Sequence, residues 1–115
     1  MRRGKRVNRR AKLVNQIKEN EWLLQVRDLA RLLGWLDYHT YDSRQCTPGF
    51  PDLVLVNRLQ KRVIFAELKR EKGRIRPAQQ EWLDALHEAG QEAYVWRPSE
   101  FETVHRILKG EKESL

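Results

Sequence analysis

Only one cysteine, Cys46, stands in this 115-residue chain, so no internal disulfide can form, and no cysteine–histidine cluster has zinc spacing. That predicts a reducing compartment. Long apolar runs are also missing. None approaches the roughly 18 residues that a membrane span requires, and no apolar stretch follows the basic N-terminus as it would in a secretion signal. These absences predict a soluble, cytoplasmic protein. The three histidines, His39, His87 and His105, are scattered over the sequence, which argues against a histidine-centred catalytic or zinc site. No internal repeat or low-complexity segment is present.

Acidic residues are absent from the first twelve positions, which hold Arg2, Arg3, Lys5, Arg6, Arg9, Arg10 and Lys12. Setting those seven aside from the 23 basic residues leaves 16 against 16 acidic ones, so the net charge of +7 resides in this segment. Taken alone, such a run reads as a solvated tail. Clustered Lys and Arg also displace counterions from nucleic acid, and the segment fits a phosphate-binding arm. The chain as a whole is 40% hydrophobic, and its four tryptophans all lie beyond the segment, which is enough for one modest core. The expected organisation is a flexible basic arm over 1–12, one domain over 13–109, and a short tail over 110–115.

Within that domain, Leu13 to Leu33 carries Ile17, Trp22, Val26, Leu29, Ala30 and Leu33 at helical spacing, with Gly34 as a stop. Trp35 to Tyr41 alternates like a strand, and Asp42 to Gly49 reads as a loop. Two apolar, β-branched runs follow, Pro51–Val56 and Val63–Lys69, separated by the polar Asn57–Lys61, a connection of hairpin length. A second basic loop, Arg70 to Arg76, precedes Pro77, which suits the first turn of a helix ending at Gly90. Ala93–Trp96 is a short strand, and Ser99 with Glu102 predicts a capping box for a last helix. The order α-β-β-β-α-β-α predicts an α/β fold with a mixed sheet flanked by helices.

Chemistry concentrates at the ends of the two paired runs. Side chains alternate faces along a strand, so Glu67 and Lys69 point the same way. An antiparallel hairpin would bring Asp52 beside them, placing two carboxylates and an ammonium at one sheet end. That is the minimum for holding a divalent cation next to a phosphate. Glu-Leu-Lys alone is weak evidence in a chain that is 34% charged, and Pro-Asp commonly opens a turn. Their conjunction across a hairpin is stronger. Trp82 and Trp96 lie on apolar stripes and read as core. Ser43 and Arg44, in the loop before Asp52, lie where a substrate could pass, and Lys72, Arg74 and Arg76 are candidate phosphate contacts.

Gly49-Phe50-Pro51-Asp52 followed by Glu67-Leu68-Lys69 resembles the PD-(D/E)XK nuclease signature. The Phe-X-Glu-Leu-Lys strand, the basic Gly-containing loop, Pro77-X-Gln79-X-X-Trp82 and Val95-X-Arg97 make it similar to the VRR-NUC branch, over roughly Glu19 to Leu108. The resemblance implies a restriction-endonuclease-like core and a divalent-metal-dependent endonuclease acting on DNA. Asp52 and Glu67 would ligate Mg²⁺ or Mn²⁺, with the Leu68 carbonyl and waters completing the shell. Lys69 would position the attacking water or stabilise developing charge, and Gln79 would help to orient the site. The family also has a first-helix glutamate, expected at Glu21 with Glu19 as the alternative. Stand-alone members imply a homodimer, branched or junction-like DNA, and a phage or bacterial setting. The rival reading is a catalytically idle nucleic-acid-binding module that uses the arm and the 70–76 loop.

Overall fold

Leu53, Leu55 and Asn57 are buried and alternate with half-buried Val54 and Val56, and that alternation along the sheet sorts the fold into layers. The structure is a computed structural model and describes residues 9, 11–40 and 47–111. Helix α1 (Glu19–Leu32) leads into strands β1 (Leu36–His39), β2 (Leu53–Asn57) and β3 (Arg62–Leu68). Helix α2 (Pro77–Glu88), strand β4 (Glu92–Trp96), a 3-10 turn (Pro98–Glu100) and helix α3 (Phe101–Lys109) complete it. The sheet order is β1-β2-β3-β4, antiparallel through β3 and parallel between β3 and β4. This is the mixed sheet that the sequence predicts.

Leu53, Leu55, Ile64, Ala66 and Leu68 line one face of the sheet, fully buried against Trp22, Val26 and Ala30 of α1 and Val104, Ile107 and Leu108 of α3. Trp96 belongs to this core, as expected. Helix α2 lies on the other face, where Phe50 meets both Phe65 and Trp82 edge-on at 6.2 and 5.1 Å. On that face Leu36, Tyr38 and Val63 remain exposed.

Three expectations change. The first helix is not continuous: residues 11–16 are helical, 17–18 are not, and α1 restarts at Glu19. The buried stripe of α1 runs Trp22, Val26, Ala30. Ile17, five residues before Trp22, would leave that stripe in an unbroken helix, whereas the break lets it pack on the core. The first strand begins at Leu36 and not at Trp35, because the Trp35 backbone N–H donates to the Ala30 carbonyl (2.9 Å) at the end of α1 instead of joining the ladder, while its indole N–H meets the Leu108 carbonyl (2.9 Å); the strand ends at His39, and Tyr41 lies outside the described residues. The Ser99–Glu102 capping box does not form. Glu100 takes that role, accepting the Arg97 backbone N–H at 3.0 Å, while the Ser99 hydroxyl donates to Glu71 at 2.6 Å.

At the sheet end remote from Asp52, Arg62 is 6% exposed. It makes two bonds to Glu92 (2.6 and 2.9 Å) and one to the Ile107 carbonyl (2.9 Å), and its guanidinium lies 5.5 Å from the Trp35 ring centroid. A buried cation is tolerated where such partners replace water.

Candidate active site

Leu53 pairs with Ala66 across the β2–β3 hairpin, which places Asp52 beside Glu67. The register predicted from the sequence is realised. An Asp52 carboxylate oxygen accepts the Leu68 backbone N–H at 2.8 Å, and the Asp52 carbonyl accepts Thr40 N–H at 3.1 Å. These bonds fix the aspartate where β2 begins and β3 ends.

Glu67 is 2% exposed, and one of its carboxylate oxygens is buried with no hydrogen-bond partner. Its pKa is pushed up to about 9, first by burial, then by the hydrogen bond and the charge of Asp52. The positive charge of Lys69 opposes the rise, and the charge of Glu19 adds to it. Lys69 lies just past the end of β3 and is only 7% exposed. Its backbone N–H donates to the Trp96 carbonyl at 3.0 Å, so the parallel strand β4 anchors the residue after Leu68. Two carboxylates and an ammonium therefore meet at one sheet end.

Gly49 brings a further element to this end. It has φ +88, a conformation that favours glycine. A Cβ there would come within 2.3 Å of the Ala78 carbonyl oxygen and 2.8 Å of the Gln79 backbone nitrogen. The backbone before Asp52 thus rides directly on the first turn of α2. Gln79 is half-buried there, and its side-chain oxygen accepts the Arg76 backbone N–H at 2.8 Å, capping its own helix.

On α1, Glu19 and Glu21 are both exposed. Glu19 lies three residues before the buried Trp22, on the same helical side, and its charge is felt at Glu67. Glu21, two residues further, lies off that side. His39 pairs with Leu53 beside Asp52. Its pKa is lowered by burial and by the charge of Arg27, against a raising effect of Asp52.

Arg70, Lys72, Arg74 and Arg76 are all exposed, as is Arg9. Arg44, Ser43 and the arm residues Arg2, Arg3, Lys5, Arg6 and Arg10 lie outside the described residues. One feature that sequence reasoning missed is the Arg97 side chain. It donates to three carbonyls of the 70–73 turn, and only its appearance in Val95-X-Arg97 hinted at a role. A groove of about 800 Å³ runs between residues 11–15, Glu71 and the start of α3, lined by neither Asp52 nor Glu67.

Among the described residues no group of three or more His, Cys, Asp or Glu side chains stands close enough to hold a metal ion. The pair Asp52–Glu67 nonetheless fits one end of a cation shell. It sets a buried acid with an unsatisfied oxygen beside a half-buried second acid, and Glu67 keeps a proton where a cation would neutralise the same charge. Among the described residues no helix is long and apolar enough to cross a membrane.

Two solved structures resemble this fold. A protein titled "VRR_NUC domain" superimposes with a TM-score of 0.65 at 22% identity, covering 80% of this chain and 95% of that one. A "VRR_NUC domain protein" gives 0.64 at 18% identity, covering 81% and 86%. No curated protein matches the sequence. The family model of the VRR-NUC domain matches residues 3–100, starting inside the basic segment, where the motifs alone begin the resemblance near Glu19. With a restriction-endonuclease-like sheet, the paired acids at its end and a family match across most of its length, the chain belongs to the VRR-NUC family of nuclease domains.

Proposed function

We propose that this chain is a divalent-metal-dependent endonuclease that hydrolyses phosphodiester bonds in DNA. The observation that carries the reading is Glu67, an acid 2% exposed whose pKa is raised to about 9 beside a second acid, Asp52. Burying an acid beside a second one costs stability. A module that only bound nucleic acid through its surface cations would gain nothing from keeping it, and this favours the enzyme over the idle binding module.

Asp52 and Glu67 would hold Mg²⁺ or Mn²⁺ through carboxylate oxygens, with the Leu68 carbonyl and water as further ligands. The bound ion would supply Lewis-acid polarisation of the phosphate and a more acidic water. The Leu68 N–H to Asp52 bond keeps that carboxylate turned toward β3. Lys69, buried beside the pair, supplies positive charge where a phosphoryl oxygen gains negative charge. Gln79, at the first turn of α2, orients the backbone that leads into Asp52. Glu19, and secondarily Glu21, would act on water at the open side of the pair.

DNA is contacted through its phosphates, by Lys72, Arg74 and Arg76 and by the arm that includes Arg2, Arg3, Lys5, Arg6, Arg9 and Arg10, with Arg44 beside the loop to Asp52. No insertion interrupts the short domain, which supports recognition of DNA shape, such as a branched or junction-like substrate, over recognition of base sequence. The exposed Leu36 and Tyr38 on edge strand β1 support a homodimer that would bring two sites to one substrate. Such an enzyme would act in the cytoplasm of a bacterial or phage-infected cell.

The test is direct. Branched, nicked and linear DNA are incubated with the protein and Mg²⁺, Mn²⁺ or EDTA. We expect cleavage with metal only, and an Asp52→Ala variant slowed at least about 100-fold, the size of a lost ligand interaction of several kcal/mol. Equal cutting by Asp52→Ala, or none by the wild type with any metal, ends the enzyme reading.

A further inference from the structure

The loop between β3 and α2 carries four cations in alternation. Arg70, Lys72, Arg74 and Arg76 are exposed, while Glu71, Gly73 and Ile75 between them are half-buried. A basic loop of this kind would ordinarily be a solvated, self-repelling segment. Here it is tied down from the inside at two points, both supplied by the segment that follows β4.

The first tie is Arg97. One guanidinium nitrogen donates to the carbonyls of Arg70 (2.9 Å), Glu71 (3.0 Å) and Gly73 (2.8 Å). Bonds from an ionised donor are the stronger kind, and three carbonyls converging on one cation fix the turn that Gly73 N–H closes onto Arg70 at 3.0 Å. The second tie is the Glu71 carboxylate, which accepts the Ser99 hydroxyl at 2.6 Å and the Ser99 backbone N–H at 3.0 Å. The fixed turn also reaches the reacting end of the sheet. A Cβ on Gly73 would stand 3.6 Å from the Lys69 side chain, so the turn lies against the stem of the buried lysine.

We propose that Arg97 is a positioning residue, with Glu71 and Ser99 as its second anchor, and that together they hold Arg70, Lys72, Arg74 and Arg76 as a preformed row of cations for the DNA phosphate backbone. This rests on the reading of the chain as a DNA-processing protein, but it needs no cleavage. Arg97 turns inward to the carbonyls and leaves the phosphates to the four residues it arranges. Without the ties those four cations remain, but the loop must be ordered at the moment of binding, and that cost appears as lost affinity.

The discriminating measurement is affinity for a fluorescently labelled DNA duplex in EDTA, followed across salt concentration. Arg97→Met removes the donors, and Arg58→Met, at the exposed β2–β3 turn, removes the same charge elsewhere. Glu71→Ala and Ser99→Ala break the second anchor, and Glu71→Ala also makes the chain more positive by one. Simple electrostatics therefore predicts tighter binding by Glu71→Ala; positioning predicts weaker binding. We expect Arg97→Met to bind on the order of 10-fold more weakly than Arg58→Met, with a salt slope shallower by about one phosphate contact or more. Glu71→Ala and Ser99→Ala should each bind about 3-fold more weakly than wild type. Arg97→Met matching Arg58→Met, or Glu71→Ala binding as tightly as wild type or more so, overturns the proposal. Wild type that binds but never cuts sinks the nuclease reading and leaves this test intact; wild type that does not bind at all sinks this one.

Discussion

Replacing Glu67 by glutamine should stabilise the metal-free protein, and by an amount that grows with pH. Glu67 has its pKa raised from 4.5 to about 9 by burial and by Asp52. In the folded state it keeps its proton up to that pH, whereas in the unfolded chain it ionises near 4.5. Between those values the native state binds more protons, so stability falls as pH rises. The slope approaches about 1.4 kcal/mol per pH unit, so the wild type loses up to about 4 kcal/mol between pH 5 and pH 8 from this group. Glutamine keeps the volume and carries no proton to lose, so the variant lacks this component. Thermal melts in EDTA across that range measure it, and the difference between the two proteins cancels groups that titrate alike in both. A domain of about 100 residues shifts its Tm by about 4 °C or more per kcal/mol. The wild type should therefore fall relative to Glu67→Gln by on the order of 10 °C. Adding Mg²⁺ at pH 8 should raise the wild type and leave Glu67→Gln in place, since a cation then takes the position of the proton. Parallel curves in EDTA would show that Glu67 is not held protonated by its surroundings, and the argument from the buried pair would fail.

Two further outcomes bear on parts of the proposal that lie away from that pair. Deleting residues 1–12 should weaken DNA affinity and flatten its salt dependence while leaving metal-dependent stabilisation unchanged; an unaltered slope of log affinity against log salt would reduce the arm to a tail. Glu19→Gln should slow metal-dependent cleavage by about 10-fold or more, and Glu21→Gln by about 2-fold at most, in the range of a group that assists a proton transfer; the reverse ranking would return the first-helix role to Glu21.

The two apolar, β-branched runs Pro51–Val56 and Val63–Lys69, with a hairpin-length connection between them, were enough to foresee the hairpin, and with it the meeting of Asp52 and Glu67. That information is local, because strand pairing across a short turn fixes its own register. The break at Ile17–Lys18 was not legible. No proline or glycine marks it, and its cause is the fit of Ile17 to a core built from strands far along the chain. Ser99 and Glu102 form a sound capping pattern in isolation, yet Ser99 is taken by Glu71, 28 residues earlier. The choice between Glu19 and Glu21 is hard to read from sequence for a related reason. Two acids two positions apart fit the same motif spacing, and only the direction of Trp22 into the core says which of them turns toward the sheet end. Contacts near in sequence could be read; those that depend on where a helix lies against the sheet could not.

The two ends of the sheet treat buried charge in opposite ways, and the contrast is the strongest physical sign of function here. At one end Arg62 is buried with every contact suited to a cation: Glu92 in two bonds, the carbonyl of Ile107 and the face of Trp35. That arrangement ties β3, β4 and α3 together and asks for no ligand. At the other end Asp52 and Glu67 share a sign, Lys69 offsets only part of the cost, and one Glu67 oxygen stays unsatisfied. Polar burial that serves the fold alone is expected to be satisfied; where a chain satisfies it fully at one end and leaves it open at the other, the open end is shaped for something the chain itself does not supply. The hardware around it fits the same conclusion. Gly49 gives up a side chain so that the backbone before Asp52 can lie against α2, and Arg97 turns inward to steady the loop that starts at Lys69. Both act on the same sheet end.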